Sequence, residues 1–508
     1  MVSASAWSVA LLGLEGSLVE IEAAIGGGLP RTVVVGLPDA SLSEAKERCK
    51  AAVTSSALAW PAQLVTFNLI PATLPKSGSH YDLGMIAALL AVSGQVPRDL
   101  LGSTLLMGEV GLDGRVREVR GILPGLLAAA RAGMESAIVP ASQVGEASLV
   151  EGLRIWGVAT LQELAEVLRG GCVDHEPMPP DRTGPEPSAL DLADVVGQPE
   201  GRWALEVAAA GRHHLLFSGP PGVGKTMLAA RLPWLLPELS AAEAIEVSAV
   251  HSLAGRDLNG GLLTRPPFAD PHHSASLVSL VGGGARFIRP GAISLAHRGV
   301  LFLDEAPEFG FRALDALRTP LESGWVTISR AHAEARYPAR FQLVLAANPC
   351  PCGNAGTPGA ECRCAPMAVR RYGERISGPI LDRVDIRQRL NPIRRSLLAM
   401  SKTNAETTAV VADRVLEARK RQLRRLSGSG WLTNGEVSGG YLRRQLPAPE
   451  GAELLDEAVR RGRLSARGVD KVLRVAWTLA DLAGRDRVSR EQLHLALAMR
   501  FGQGQEAA

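Results

Sequence analysis

The sequence predicts an α/β protein of several domains, with a phosphate-binding α/β unit in the middle and a small helical unit at the end. Three observations carry this. The run Gly219-Pro220-Pro221-Gly222-Val223-Gly224-Lys225-Thr226 matches G-x-x-x-x-G-K-[ST] between an apolar stretch and a helical one. Short β-like runs alternate with helical stretches through the first 170 residues. The tail is helical and basic: residues 366–508 carry 27 Lys and Arg against 16 Asp and Glu, the first 365 only 28 against 36. The whole chain is nearly neutral at +3, so it is the asymmetry that hints at a nucleic acid partner.

Composition excludes other classes. The chain is 508 residues long, 46% apolar and 21% charged, an ordinary globular balance. No stretch reaches the ~18 uninterrupted apolar residues of a membrane span. The opening MVSASAWSVALLGLEGSLVEIE lacks the basic start of a secretion signal. Six Cys form no disulfide framework. A cytoplasmic protein with no membrane partner is expected.

Taken in order, Ser17–Ile21, Thr32–Val35, Leu64–Asn68 and Ala137–Val139 read as strands, and Ser41–Ala57 and Leu83–Ser93 as helices. They belong to a first domain, 1–170. Residues 171–188 hold five Pro and few large apolar residues, which predicts a linker. The second α/β domain is expected over 189–391 and a helical domain over 392–508. In the latter, VADRVLEARKRQLRRL is the most charged helix, followed by Glu450–Arg461, Ser465–Ala483 and Ser489–Ala498.

The nucleotide machinery is read from spacing. His214–Ser218 can be the strand before the glycine-rich loop and Met227–Leu235 the helix after it. Backbone N–H groups of 219–226 would converge on phosphate oxygens at a helix N-terminus. Lys225 would reach the β and γ phosphates of ATP, and Thr226 would ligate Mg²⁺. Gly299–Glu305 is an apolar run ending in two acids, a buried parallel strand presenting carboxylates at its C-terminal end. There Asp304 would hold Mg²⁺ and Glu305 would polarise the attacking water. A third strand ends at Asn348, which could orient that water; a turn Asn before Pro349 is the alternative.

Cys350, Cys352, Cys362 and Cys364 form C-x-C-x₉-C-x-C in a Gly/Pro-rich loop. Four thiols suit tetrahedral Zn²⁺, although the usual knuckle is C-x-x-C. Packed reduced thiols and a reversible disulfide are the other two readings. His213-His214 and His272-His273 lack metal spacing and are expected to be structural or pore contacts.

At this point the residues carry a family resemblance. The three strand-end motifs resemble an AAA+ ATPase. RPPFADPHHSASLVSLVGGGARFIRPGAISLAHRGVLFLDEAPEF (265–309), NPCPCG (348–353) and RISGPILDRVD (375–385) resemble its magnesium-chelatase-like branch. GLPDASLSEAKERCKAAV (36–53), NLIPATLPKSGSHYDL (68–83) and MGEVGLDGRVREVRGILP (107–124) resemble the ComM/YifB family. The resemblance implies a Lon-protease-like (ribosomal S5 domain 2-like) N-terminal domain, a P-loop AAA+ α/β domain and a small C-terminal helical lid. It also implies a homo-hexameric, ATP-driven DNA motor, whose competence member promotes branch migration during natural transformation.

Residue roles follow from the same resemblance. Arg383 in Leu381-Asp382-Arg383 resembles an arginine finger, reaching ATP held by a neighbouring subunit; an ordinary surface Arg is the alternative. Arg467 resembles the sensor-2 arginine of the lid, and Arg375 and Arg474 are weaker candidates for these duties. Residues 265–292 resemble a pore-facing insert, and 325–340 a β-hairpin, so Arg286, Arg289, Arg330 and His332 could track DNA phosphates; a solvated hairpin is the bland alternative. In the first domain His80 stands where Lon-type proteases carry the Ser nucleophile, and Leu123 near the expected Lys. Ser77 and Ser79 have no well-placed Lys, since Lys76 sits beside the wrong residue, so Ser–Lys proteolysis is not expected. The alternatives to a DNA motor are a chelatase subunit, disfavoured by the N-terminal domain, and a protein-remodelling ATPase.

Overall fold

The computed structural model describes residues 2–36, 40–173, 190–258, 261–284, 288–330, 333–357, 361–392 and 405–502. Most of the expected linker, together with Arg286, His332 and the side chain of Arg330, lies outside the described residues.

The first 170 residues are built on a seven-stranded sheet. Its spatial order is Arg31–Val35, Leu64–Ile70, Glu15–Gly26, Val2–Leu12, Thr104–Leu106, Ser136–Pro140, Arg154–Val158. Val2–Leu12 and Glu15–Gly26 pair antiparallel along their whole length, from Val2 opposite Ile25 to Leu12 opposite Glu15. The sequence reading found only the middle of the second strand and missed the first, whose Ala and Ser residues carry weak β preference. Alternation does the positioning: Val19, Ile21 and Ala23 are fully buried, with Glu20 and Glu22 between them. Against that face lies helix Asp82–Val92, buried along every residue.

The second sheet has five strands, all parallel, in the order Phe268–Ala269, Val300–Leu303, Gln342–Ala347, Leu215–Ser218, Ile386–Arg389. Its inner strands are apolar runs because helices cover both faces. Parallel direction has one consequence for everything below. Ser218, Leu303 and Ala347 all end at one edge of the sheet, and His214, Phe341 and Asp385 all enter at the other.

The C-terminal part is helical as expected, with Thr408–Arg425, Glu453–Arg460, Ala466–Leu482 and Arg490–Phe501 as its longer helices. Its core is not separate. Val415, Trp477 and Leu493 belong to one buried cluster with Leu215, Phe217 and Val344 of the sheet. A second shared cluster joins Val9, Leu123 and Leu126 of the first unit to Ala249, Leu253, Ala335 and Tyr337 of the second. Among the described residues no helix is long and apolar enough to cross a membrane.

Candidate nucleotide site

Gly219 follows strand Leu215–Ser218, and its N–H donates to the Ala347 carbonyl at 3.1 Å, so loop and neighbouring strand start in register. Position 219 accepts only glycine: a Cβ there would stand 2.5 Å from the Leu390 carbonyl oxygen. Gly222 and Gly224 take left-handed φ values of 77° and 93°, which turn the loop into helix Lys225–Leu235. Gln198, which the sequence reading did not single out, pins the loop from behind. Its amide donates to Val223 O at 3.1 Å and Asn391 O at 2.8 Å.

Lys225 is buried, and its Nζ donates to Gly219 O (2.7 Å), Pro220 O (2.9 Å) and Asn348 Oδ1 (2.9 Å). Burial pulls its pKa down, against the opposing pull of Asp304 and Glu305. The Thr226 hydroxyl donates to Asp304 Oδ2 at 2.7 Å. Thr226, Asp304, Glu305, Lys225 and Asn348 thus come together at one sheet edge. Thr226 and Asp304 supply two adjacent oxygens, the hard donor set Mg²⁺ takes.

Glu305 has a left-handed backbone at φ 49°, rare for a non-glycine residue. Its own N–H donates to Asp304 Oδ1 at 2.8 Å, and its carbonyl accepts from Glu308 N at 2.7 Å, which holds the turn. The turn leaves the carboxylate half-exposed at the strand tip, with Oε2 3.3 Å from His273 Nδ1. The His273–Glu305 contact was not legible in sequence, which offered only a doublet without metal spacing.

The two arginines of the expected transfer machinery lie elsewhere. Arg383 and Arg467 line a cleft of about 710 Å³ with His214, Phe341, Lys471 and Arg474, at the strand-entry edge of the sheet. No residue of 219–226 lines it. Arg383 donates to Pro379 O at 2.7 Å and pairs with Glu322, leaving its Nε without a partner among the described residues. Arg467 approaches Glu322 at 3.8 Å and Asp382 at 3.9 Å. Lys471 Nζ binds the buried Asp385 at 2.8 Å and the Arg383 carbonyl at 2.8 Å, tying the lid helix to the Arg383 segment. Arg375 instead pairs with Glu308 at 2.8 Å, and Arg474 donates to Val437 O at 2.8 Å.

His213 and His214 are structural. Burial lowers them to about 4 and about 3. His213 meets Thr478 at 2.8 Å, and His214 Nδ1 accepts the Leu343 N–H at 3.0 Å, so it is unprotonated there.

The four thiols do converge. Cys350, Cys352, Cys362 and Cys364 place their sulfurs within 4.8 Å of one another, with Cys350–Cys362 at 3.8 Å and Cys352–Cys362 at 3.7 Å. A tetrahedral ion with metal–sulfur bonds of about 2.3 Å needs sulfurs about 3.8 Å apart. Backbone N–H groups of Asn354 and Arg363 point at Cys352 and lower its thiol pKa, and Ala355 N–H donates to Cys350 Sγ at 3.3 Å. Such bonds favour thiolate ligands.

The first unit holds no Ser–Lys pair at the positions where one would be expected from the protease resemblance. His80 is buried, with Nε2 2.7 Å from the Val9 carbonyl. Leu123 is fully buried in the shared cluster. Lys76 is sealed by carbonyls, donating to Gly36 O and Leu74 O at 3.0 Å each and to Pro71 O. Ser79 bonds to Glu109.

The expected hairpin is present as Trp325–Arg330 paired antiparallel with Ala333–Pro338. Arg289 is exposed in a short strand of the insert, and Tyr337 Oη donates to the Ile288 carbonyl at 2.6 Å, locking insert to hairpin.

Three family descriptions match consecutive parts of the chain: magnesium chelatase subunit ChlI over 191–398, subunit ChlI of Mg-chelatase over 21–143, and the ChlI C-terminal part over 405–500. An uncharacterized protein of Mycobacterium tuberculosis is 52% identical over 98% of this chain and 99% of its own length. The uncharacterized protein YifB of Salmonella typhimurium is 41% identical over 97% of this chain and 96% of its own. The competence protein ComM of Haemophilus influenzae is 40% identical, covering 98% of both chains.

Proposed function

The chain belongs to the magnesium-chelatase-like ComM/YifB family, and from that premise we propose that it is a ring-forming ATPase, a homo-hexamer that moves along DNA and drives branch migration or unwinding in recombination or natural transformation. The observation that supports this most is the separation of the two halves of the nucleotide site. Lys225, Thr226, Asp304 and Glu305 stand at one edge of the parallel sheet, Arg383 and Arg467 at the other. A copy of the chain packed head-to-tail on its neighbour brings the second edge against the first, and repetition of that contact closes a ring. Each site then draws its phosphate-binding loop from one subunit and its arginines from the next.

In this reading ATP phosphates displace the loop carbonyls from Lys225. Mg²⁺ bound with ATP would neutralise charge between the β and γ phosphates, and Thr226 and Asp304 are the residues that would hold it. Glu305 takes the proton of the attacking water, with Asn348 beside Lys225 orienting it. Arg383 leaves Glu322 for the γ-phosphate across the interface, and Arg467, tethered by the lid, approaches the same charge. The four-cysteine cluster holds a structural Zn²⁺.

DNA enters through the hairpin and insert. Arg120 and Arg289 are both exposed residues, and the Arg120 pKa is lowered by burial of its guanidinium first and by the Arg289 charge second. Two like charges set together in this way are relieved by a polyanion. The first 170 residues act as a non-proteolytic scaffold that carries the hairpin. Strand displacement on forked and four-way DNA, with and without ATP, tests the reading. ATP-dependent displacement and DNA-stimulated phosphate release are expected. Absence of both would favour protein remodelling or chelatase-type work instead.

A further inference from the structure

We propose that the four-cysteine loop is a metal-dependent brace for the P-loop, so that occupancy of the thiol site sets the affinity for ATP. This rests on the zinc reading above and adds to it a coupling between two sites. Three contacts carry the inference. Cys350 lies two residues beyond Asn348, whose side chain holds Lys225 at 2.9 Å. Gly353, at φ +80°, lies against Pro221 of the P-loop: a Cβ there would stand 2.4 Å from Pro221 Cδ and 2.7 Å from Cγ. On the far side Arg389 donates to the Gly356 carbonyl at 2.9 Å, and Arg389 pairs with Ser218, the residue before the P-loop.

The loop has little else to shape it. Among its described residues there is no helix or strand from Asn348 to Cys364, and Cys350 is its one fully buried apolar side chain. Its internal backbone bonds are few, with Gly353 N to Cys350 O at 2.9 Å and Thr357 N to Asn354 O at 3.1 Å. The four sulfurs lie within 4.8 Å of one another with no covalent link among them, so binding energy of a cation at the thiols becomes folding energy of the loop. A loop held in that shape presents the Gly353 backbone to Pro221 and fixes the position of Asn348. Once the ion leaves, both contacts loosen, and the Pro220-Pro221 segment and Lys225 lose their support. Reciprocity follows: ATP should tighten zinc by the same factor by which zinc tightens ATP.

The test uses the full chain. Zinc is counted by elemental analysis, removed with a chelator, and the affinity for a fluorescent ATP analogue is read with Mg²⁺ restored. About one zinc per chain is expected, with an affinity loss of about tenfold on removal that zinc re-addition reverses. Gly353→Ala should keep its zinc, which reports a folded loop, and still bind nucleotide about tenfold more weakly. ATP should raise the zinc affinity of the wild-type chain about tenfold, read by competition with a chelator, a measurement that needs no variant. Less than about half an equivalent of zinc would overturn the metal reading itself. Zinc present, with affinity unchanged both on its removal and in Gly353→Ala, would overturn the brace and leave the metal reading standing.

Discussion

Glu305 shows how a single residue carries function at a cost. Its left-handed backbone is strained by order 1–3 kcal/mol for a non-glycine residue. That conformation turns the carboxylate past Asp304, to a half-exposed position 3.3 Å from His273 Nδ1. Glu305→Gln keeps the shape and removes the base. It should bind ATP as the wild type does and release phosphate at least ~100-fold more slowly, measured by nucleotide affinity and steady-state turnover side by side. Unchanged turnover would remove Glu305 from the role. His213 bears on stability rather than chemistry. Burial lowers its pKa from 6.5 to about 4. Below pH 6.5 the unfolded chain therefore binds a proton that the folded chain refuses, and stability falls as pH drops towards 4. The slope is about 1.4 kcal/mol per pH unit for one such group. Thermal midpoints at pH 7 and pH 5 should fall further apart in the wild type than in His213→Asn. Residues such as Lys225 and Asp304 were legible because phosphate and Mg²⁺ chemistry demands them at fixed local spacing. His273 was not, because its contact with Glu305 is made by the fold, between distant parts of the chain.

At the scale of elements, the hairpin and the lid are the informative pieces. Period-2 alternation in WVTISRA marked the hairpin correctly, and its partner strand runs to Pro338. What alternation did not reveal is where the second strand packs. Ala335 and Tyr337 are buried with Val9 and Leu123 of the first unit, so the hairpin is mounted on that unit. Tyr337→Phe keeps the ring and orphans the Ile288 carbonyl, at a cost of about 1 kcal/mol. Amides around Arg289 should exchange hydrogen about fivefold faster in that variant, by mass spectrometry. Equal exchange would mean that packing alone holds the insert. The lid was legible as four helices, but not its attachment. Lys471 locks helix Ala466–Leu482 to Asp385 and to the Arg383 carbonyl, so the lid and the finger segment form one piece.

At the scale of the whole molecule, the same separation of loop and arginines makes a strong test by mixing. Lys225→Ala lacks the phosphate-binding lysine and Arg383→Ala lacks the finger, so each alone should be inactive. In a mixed ring some interfaces join an intact loop to an intact finger, and about a quarter of them do if subunits assort freely. Mixing the two inactive proteins should therefore restore part of the ATP turnover. No recovery, despite co-assembly seen by size, would argue that both groups act within one subunit. The basic tail also looks different at this scale. Part of its charge is engaged internally: Arg414 pairs with Glu206 and Glu406, Arg425 with Asp481, and Lys471 with Asp385. The charge asymmetry of the sequence is thus weaker evidence for a polyanionic partner than the bare count suggests. By itself the sequence determined the phosphate-binding loop, the paired acids, the thiol spacing and the family, because each is a chemical requirement written over a few adjacent residues. Only the tertiary structure decided that the loop and the arginines face opposite edges, that the thiol loop rests on Pro221, and that the aligned protease positions now bury His80 and Leu123. Those facts depend on strand order and on packing between distant segments, which local pattern does not encode.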